Sequence, residues 1–255
     1  MPRYENHATE KTLYLLEAVC DADGPISLTD LATKLEMSRT TAFRHLKVLE
    51  KNGFVLQTPD KLYLPGYMVF RLGRRERQWR TNRDLAAPLL RRLAHETGMT
   101  VHLGGLEGSQ VIYLMKVAPS DDYSVFTREG MRLDAHATAL GKAMLAYQNE
   151  DAVRALYRYR RLERYAQNTI TTIEALLGGL RAVRRTGYAV ERGESVPGLV
   201  CVAAPIINTL GASSMAISVS APASRLGDDQ VAALGKRLRS EVDAFTDSVV
   251  QRLFS

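Results

Sequence analysis

Two cysteines, Cys20 and Cys201, are all that this 255-residue chain contains, and they stand far apart. That excludes a disulfide framework and leaves no Cys/His spacing suited to zinc. No apolar run approaches the ~20 residues that cross a bilayer. The opening MPRYENHATEK has no apolar centre of a signal peptide, so a cytoplasmic protein is expected. Neither G-x-G-x-x-G nor a Walker sequence occurs, and no nucleotide-phosphate cradle or other cofactor is expected. Internal repeats and low-complexity tracts are missing too. What the chain does have is positive charge, 34 Lys and Arg against 28 Asp and Glu, a formal net charge of +6. Such a balance suits a polyanion partner without identifying one. The length suits one or two domains.

The richest stretch is ISLTDLATKLEMSRTTAFRHLKVLEKNG, Ile26 to Gly53. Leu28, Leu31, Ala32 and Leu35 recur at i, i+3, i+4 and i+7, the apolar stripe of an amphipathic helix. Ser27 serves as its N-cap, with Asp30 three residues on. Glu36-Met37 makes the turn, and Ser38 caps a second helix that buries Ala42, Leu46 and Leu49. That helix turns Arg39, Thr40, Thr41, Phe43, Arg44 and Lys47 outward, a face that fits a major groove. A solvated amphipathic hairpin is the alternative.

The adjoining segment favours DNA. Phe54 to Gln57 reads as a strand, Thr58-Pro59-Asp60 as a turn and Lys61 to Leu64 as the returning strand. A hairpin behind a recognition helix is the wing of a winged helix-turn-helix, with Lys61 at its tip placed for a phosphate. Thr12 to Cys20 supplies a buttressing helix in which Cys20 is expected in the core. Residues 7–65 form this DNA-binding domain. A linker helix, 66–83, carries Arg71, Arg74, Arg75, Arg77, Arg80 and Arg83, with Met68 and Trp79 as candidates for dimer packing; the arginines form either a solvated face or a backbone-phosphate contact.

From residue 84 to 255 helices and strands mix. Helices are expected at Leu85–Glu96, His136–Tyr147, Ile173–Arg185 and Asp228–Leu253. Strands are expected at Thr100–Leu106, Val111–Val117, Tyr123–Thr127, Tyr188–Arg192, Val200–Ile206 and Met215–Ser220. The small residues of HATALGKAML allow close approach at the start of its helix. Meandering strands with interspersed helices argue an α+β sheet domain and not a doubly wound one.

In order and spacing, SLTDLATKLEMSRTTAFRHLKVLEKNGFV, LDAHATALGKAMLA and GYAVERGESVPGLVCVAAPI resemble the IclR family of transcriptional regulators over nearly the full length. The resemblance implies a winged helix-turn-helix followed by a GAF-like α/β effector-binding domain. It also implies homodimers or homotetramers on a pseudo-palindromic double-stranded DNA operator, and control of a catabolic operon, more often by repression, through a small organic acid. Three positions depart from the pattern. His45 stands where an apolar residue is usual, Pro65-Gly66 where Leu-Gly is common, and Glu191 where Asp often sits.

By matched position, the resemblance implies an effector site of Leu133, Ala139, Leu140, Glu191, Leu199, Cys201, Ser218 and Ser220. The residue types are sensible. Ser218 and Ser220 share one strand face, the three leucines supply an apolar wall, and the amides opening the 137–147 helix suit an anion. Each has a plainer alternative: Cys201 as packing, Ser218 bonding local backbone, Glu191 a solvated turn charge. His136 braces the helix start, with no companion ligand at metal spacing. A different class of function is an enzyme with Cys201 as nucleophile and His136 as base. Cys201, however, lies in a strand-like run without an orienting acid. A redox sensor using Cys20 or Cys201 is the third possibility.

Overall fold

The computed structural model describes residues 7–73, 77–119 and 125–254, and the side chains of all of these except 77–81 and 250–254. The chain divides into two compact units between Gln78 and Trp79.

In the first unit, α1 (His7–Cys20) packs Leu15, Ala18 and Val19 inward. After β1 (Ile26–Ser27) come α2 (Leu28–Lys34) and α3 (Arg39–Lys51). Ser27 accepts the Asp30 amide at 3.1 Å and donates to the Asp30 carboxylate at 2.6 Å, satisfying a first-turn donor that the helix itself cannot pair. Ser38 accepts the Thr41 amide at 3.1 Å in the same role. Glu36 turns the chain between the helices in a left-handed conformation, φ 49°. β2 (Val55–Gln57) and β3 (Leu62–Pro65) form the wing, and β1 pairs on the other edge of β3. That third strand, only two residues long, is too short to leave a periodic signal. The core is Leu15, Leu31, Leu46, Val55 and Tyr63 with their neighbours. Cys20 is exposed at the end of α1, correcting its expected place in the core. It sits one residue past Ala18-Val19, off the buried stripe.

Two of the departures have local reasons. Half-buried His45 meets the Thr12 hydroxyl through Nδ1 at 2.7 Å, tying α3 to α1 by a polar contact where an apolar one is usual. Gly66 donates to the Phe54 carbonyl at 2.8 Å, and a Cβ there would stand 2.2 Å from the Gly53 oxygen. α4 (Tyr67–Gly73) comes next. Arg74, Arg75 and the side chains of Arg77, Trp79 and Arg80 lie outside the described residues; Arg83 pairs with Glu129 at 2.6 Å.

The second unit begins in α5 (Arg77–Thr97), followed by β4 (Thr100–Glu107), β5 (Gln110–Val117) and β6 (Arg132–Asp134). A 3-10 turn at Ala135–Ala137 leads into α6 (Ala139–Leu145), α7 (Glu150–Tyr157) and α8 (Ile173–Thr186). Then come β7 (Ala189–Arg192), β8 (Leu199–Ile207), β9 (Ser213–Pro222) and α9 (Asp228–Phe254). The six strands form one antiparallel sheet in the order β6-β5-β4-β9-β8-β7. Strand alternation divides its faces. Val101, Leu103, Val202, Ile217 and Val219 pack under α5 and α9. Val111, Ala203 and Ala216 pack with α6, α7 and α8 on the other side.

Three expectations change. The helix predicted over His136–Tyr147 is split, because Thr138 is extended (φ −117°, ψ 147°) and restarts the helix as its N-cap. Val125–Thr127 is not a strand, and Tyr123 and Ser124 lie outside the described residues. β6 and α7 are additions that periodicity does not announce; β6 has three residues, and α7 begins at an Asn149 cap that accepts the amides of Asp151 and Ala152.

Candidate functional site

The outward face of α3 carries most of the first site. Ser38, Arg39, Thr40, Phe43, Arg44 and Lys47 are exposed, and Thr41 is half-buried because its hydroxyl turns back to Ser38 at 2.8 Å. Phe43 is 44% exposed on this face. Lys47 donates to Glu50 at 2.6 Å and sits 5.6 Å from the Phe43 ring centre, so its ammonium is partly engaged within the protein. Lys61 is exposed at the wing tip in a left-handed conformation, φ 62°, with its amide closing the turn onto the Thr58 carbonyl at 2.9 Å. The Gly66 amide on the Phe54 carbonyl and the Met68 amide on the Gly53 carbonyl tie the end of the wing to the segment that leaves α3.

The second site is a cavity of about 400 Å³ in the carboxy-terminal unit. Leu133, Ala139, Leu140, Glu191, Leu199, Cys201, Ser218 and Ser220 all line it. Register explains why residues so distant in sequence meet. Glu191 pairs with Cys201, Cys201 with Ser220 and Ser220 with Thr100, one polar rung across four strands. The next rung places Ser218 beside His102. α6 closes the cavity from above. Its Gly141 approaches so closely that a Cβ would stand 2.2 Å from the Ala135 oxygen, which is what the small residues of HATALGKA permit. The Gly141 amide is already taken by Thr138 Oγ1 at 3.1 Å, so it is not among the free donors expected at that helix start.

Glu191 is fully buried, not a solvated turn charge. Its Oε1 accepts the backbone amides of Glu194 and of Ser195, the latter at 3.0 Å, and so anchors the loop whose Ser195 to Gly198 form one wall. Burial raises its carboxyl above the usual range, opposed by those two amides, the Cys201 thiol and the charge of Lys142. Burial and the Glu191 charge push the Cys201 thiol well up, against its use as a thiolate nucleophile. His136 is no base for it; its Nε2 meets the Glu163 carbonyl at 3.0 Å and its ring stacks on Tyr165.

Sequence reasoning missed several groups. Buried Lys142 donates to the Val190 carbonyl at 2.7 Å and to the Glu194 carboxylate, an ion pair beneath the wall loop. A lysine inside the apolar run ALGKAML was the available signal. His102, 1% exposed, meets the Thr127 hydroxyl at 2.7 Å, and burial, with the nearby Lys116 charge, drives its pKa down to about 3. Its alternation with Val101 and Leu103 on β4 places it on the cavity face. Among the described residues no group of His, Cys, Asp and Glu could hold a metal, and no helix is long and apolar enough to cross a membrane.

Residues 81–246 match the family described as bacterial transcriptional regulator IclR C-terminal, and residues 8–59 match the IclR helix-turn-helix domain. The chain is 33% identical over 228 residues to the HTH-type transcriptional regulator BhcR of Paracoccus denitrificans, covering 89% of this chain and 81% of that protein. It is 30% identical over 233 residues to the HTH-type transcriptional repressor AllR of Escherichia coli K12, covering 91% and 86% respectively. The solved structure of the IclR protein of Thermotoga maritima superposes with a TM-score of 0.71 at 29% identity, over 96% of this chain and 99% of that one. The likeness runs through both units, and the curated relatives named here are transcriptional regulators. A winged helix-turn-helix joined to an α+β effector-binding unit is therefore no chance pairing, and the chain belongs to the IclR family of transcriptional regulators.

Proposed function

We propose that this regulator is a cytoplasmic repressor of a catabolic operon, released from its operator by a small organic molecule held in the cavity. The observation that carries the reading is the cavity itself, a built chamber with a polar floor and apolar walls, on a chain that also presents a recognition helix. The relative named as a repressor supports the sign of regulation. An organic acid is the effector class that the resemblance implies. In this reading a homodimer, alone or paired into a tetramer, sets two copies of α3 in successive major grooves of a pseudo-palindrome, ~34 Å apart. Arg39, Thr40 and Arg44 reach base edges, Phe43 meets thymine methyls, and Ser38, Thr41, Lys47 and Lys61 take backbone phosphates. The effector acts by binding one of two conformations more tightly than the other.

Footprinting of genomic fragments captured by the purified protein tests this. A discrete palindrome supports it; diffuse, salt-labile protection overturns it. On that operator Arg44→Ala costs about 1–3 kcal/mol if the side chain reads a base. An equal loss on scrambled DNA reassigns it to phosphate. Ser218→Ala with Ser220→Ala blunts the effector response and leaves binding without effector intact; an unchanged response removes both serines from the site.

A further inference from the structure

Charge on the carboxy-terminal unit is unevenly placed. From Trp79 onward the chain has 22 Lys and Arg against 18 Asp and Glu. The whole of that excess lies within residues 149–187, which hold eight arginines, no lysine and four carboxylates. Two of the eight join helices: Arg154 pairs with Glu174 at 2.6 Å and Arg181 with Glu150 at 2.9 Å, fixing α7 against α8. Arg184 reaches back to the carbonyls of Ala146 and Gln148. Arg185 stands in the last turn of α8, where a cation suits the negative end of the helix dipole. The remaining four, Arg158, Arg160, Arg161 and Arg164, fall within seven residues.

These four stand on a segment that is irregular but fixed. Residues 158–172 form neither helix nor strand, over a length at which a connection usually has a task of its own. Tyr165 donates to Asp134 at 2.7 Å, Asn168 to the Arg192 carbonyl at 3.0 Å and Thr169 to the Glu194 carbonyl at 2.7 Å. Arg160 donates to the Ser109 hydroxyl at 3.0 Å and Arg164 to the Gln167 carbonyl at 3.1 Å, partners that neutralise neither charge. Arg158 and Arg161 are exposed, and their guanidinium groups have no hydrogen bond or ion pair among the described residues. Arg158 lies 5.4 Å from the ring centre of Tyr159, itself 84% exposed. Glu163 is the one carboxylate of the segment. Helix dipoles do not account for this cluster. Arg158 at the C-cap of α7 is well placed, but Arg160 and Arg161 lie beyond that helix. Arg164 reaches Thr171 at 3.3 Å, beside the amino-terminal end of α8, where a cation is unfavourable.

We propose that this surface grips the phosphate backbone of duplex DNA, as a second contact that is independent of sequence. Guanidinium groups make forked hydrogen bonds to phosphate oxygens, and tyrosine hydroxyls join such contacts. A platform already held in place gives up little freedom on binding. An acidic protein is the weaker fit, since a protein interface is built around an apolar centre. Beside these arginines only Tyr159 and Tyr165 expose large rings, and the Tyr165 hydroxyl is tied to Asp134. The surface belongs to a different unit from α3, so it draws on phosphates other than those met by the recognition helix. It adds affinity and speed of association without adding specificity. Nothing in it depends on the identity of the effector.

The experiment is fluorescence anisotropy of the full chain on a labelled mixed-sequence duplex of about 60 base pairs, titrated at several KCl concentrations. Arg158→Ala with Arg161→Ala removes two exposed side chains that hold nothing within the fold. Affinity falls equally on every sequence, and the plot of log K against log salt becomes shallower by about 2. Arg158→Lys with Arg161→Lys keeps the slope, and so does Arg185→Ala, which removes a like charge from the carboxy-terminal end of α8. An unchanged slope in the double alanine variant overturns the proposal. So does an equal loss per charge in Arg185→Ala, which assigns the effect to net charge. Wild type that shows no salt-dependent binding overturns it as well. Poly-L-glutamate is the second probe: if it binds wild type but not the double alanine variant while the DNA slope stays fixed, the surface serves an acidic protein and the proposal falls. If the double alanine variant does not fold, Arg161→Gln alone decides, with an expected slope change of about 1.

Discussion

Replacing Lys142 with methionine tests how the wall of the cavity is held. Lys142 is 4% exposed and Glu194 7% exposed, and Glu194 Oε2 already lacks a hydrogen-bond partner. Methionine keeps much of the lysine stem and its packing, so the change removes chiefly the charge. It leaves a buried carboxylate without a counter-ion, at a cost of about 3–5 kcal/mol. That is a large share of the roughly 5–15 kcal/mol by which a domain is usually stable. Lys142→Met with Glu194→Met removes both charges and restores stability to within about 1–2 kcal/mol of wild type. Urea unfolding of the full chain, followed by far-ultraviolet circular dichroism, measures all three proteins. The amino-terminal unit contains neither residue and serves as an internal reference. A single variant that loses less than about 1 kcal/mol refutes the reasoning, since an exposed pair behaves that way. A double variant no better than the single one refutes it differently, by assigning the loss to packing.

Three further outcomes are expected. His102 has its folded pKa lowered from 6.5 to about 3, so the unfolded chain takes up the proton first on acidification. Its contribution is fully present above about pH 6.5 and is lost towards about pH 3, at up to about 1.4 kcal/mol per unit; denaturation midpoints of His102→Gln against pH flatten across that window, and an unaltered slope rejects the assignment. Lys61→Gly relieves a left-handed residue worth about 1 kcal/mol of strain while removing the side chain proposed to take a phosphate. Thermal stability then rises as operator affinity and its salt dependence fall, and a parallel change in both rejects the separation. Gly141→Ala forces a Cβ to 2.2 Å from the Ala135 oxygen and costs about 3 kcal/mol, measured by the same urea unfolding; a neutral variant shows that α6 can move away from the preceding turn.

Much of this architecture was legible in local pattern. The caps Ser27 and Ser38 and the buried trio Ala42, Leu46 and Leu49 stand as their spacing demands. Gly187, left-handed at φ 81°, ends α8 as a glycine at that position should. The alternation of Ser218 and Ser220 with Ile217 and Val219 told which side of β9 is polar. Less legible was whatever depends on pairing. β1 exists only because β3 lies beside it, and β6 only because β5 does. Thr138 breaks its helix by adopting an extended conformation and capping Gly141 instead, a local event that leaves no periodic trace. Resemblance could gather the eight cavity residues, but only register makes neighbours of Glu191, Cys201 and Ser220. The Lys142–Glu194 pair joins a helix to a loop across a gap in sequence that no local reading spans.

The strand order of the sheet bears on how the molecule is made. Its central ladder joins β4 to β9, Thr100 to Ser220, so the middle of the sheet is the last part that synthesis can complete. The winged helix-turn-helix closes on contacts within its own first seventy or so residues and can fold while the rest of the chain is still being translated. The sensor cannot: until β9 emerges, β4 has an open edge and the polar rung lacks the strand that joins Thr100 to Cys201. Pairings this distant fold slowly. A nascent chain therefore has a reader of DNA before it has a receptor, and an early stop within β9 leaves the first without the second.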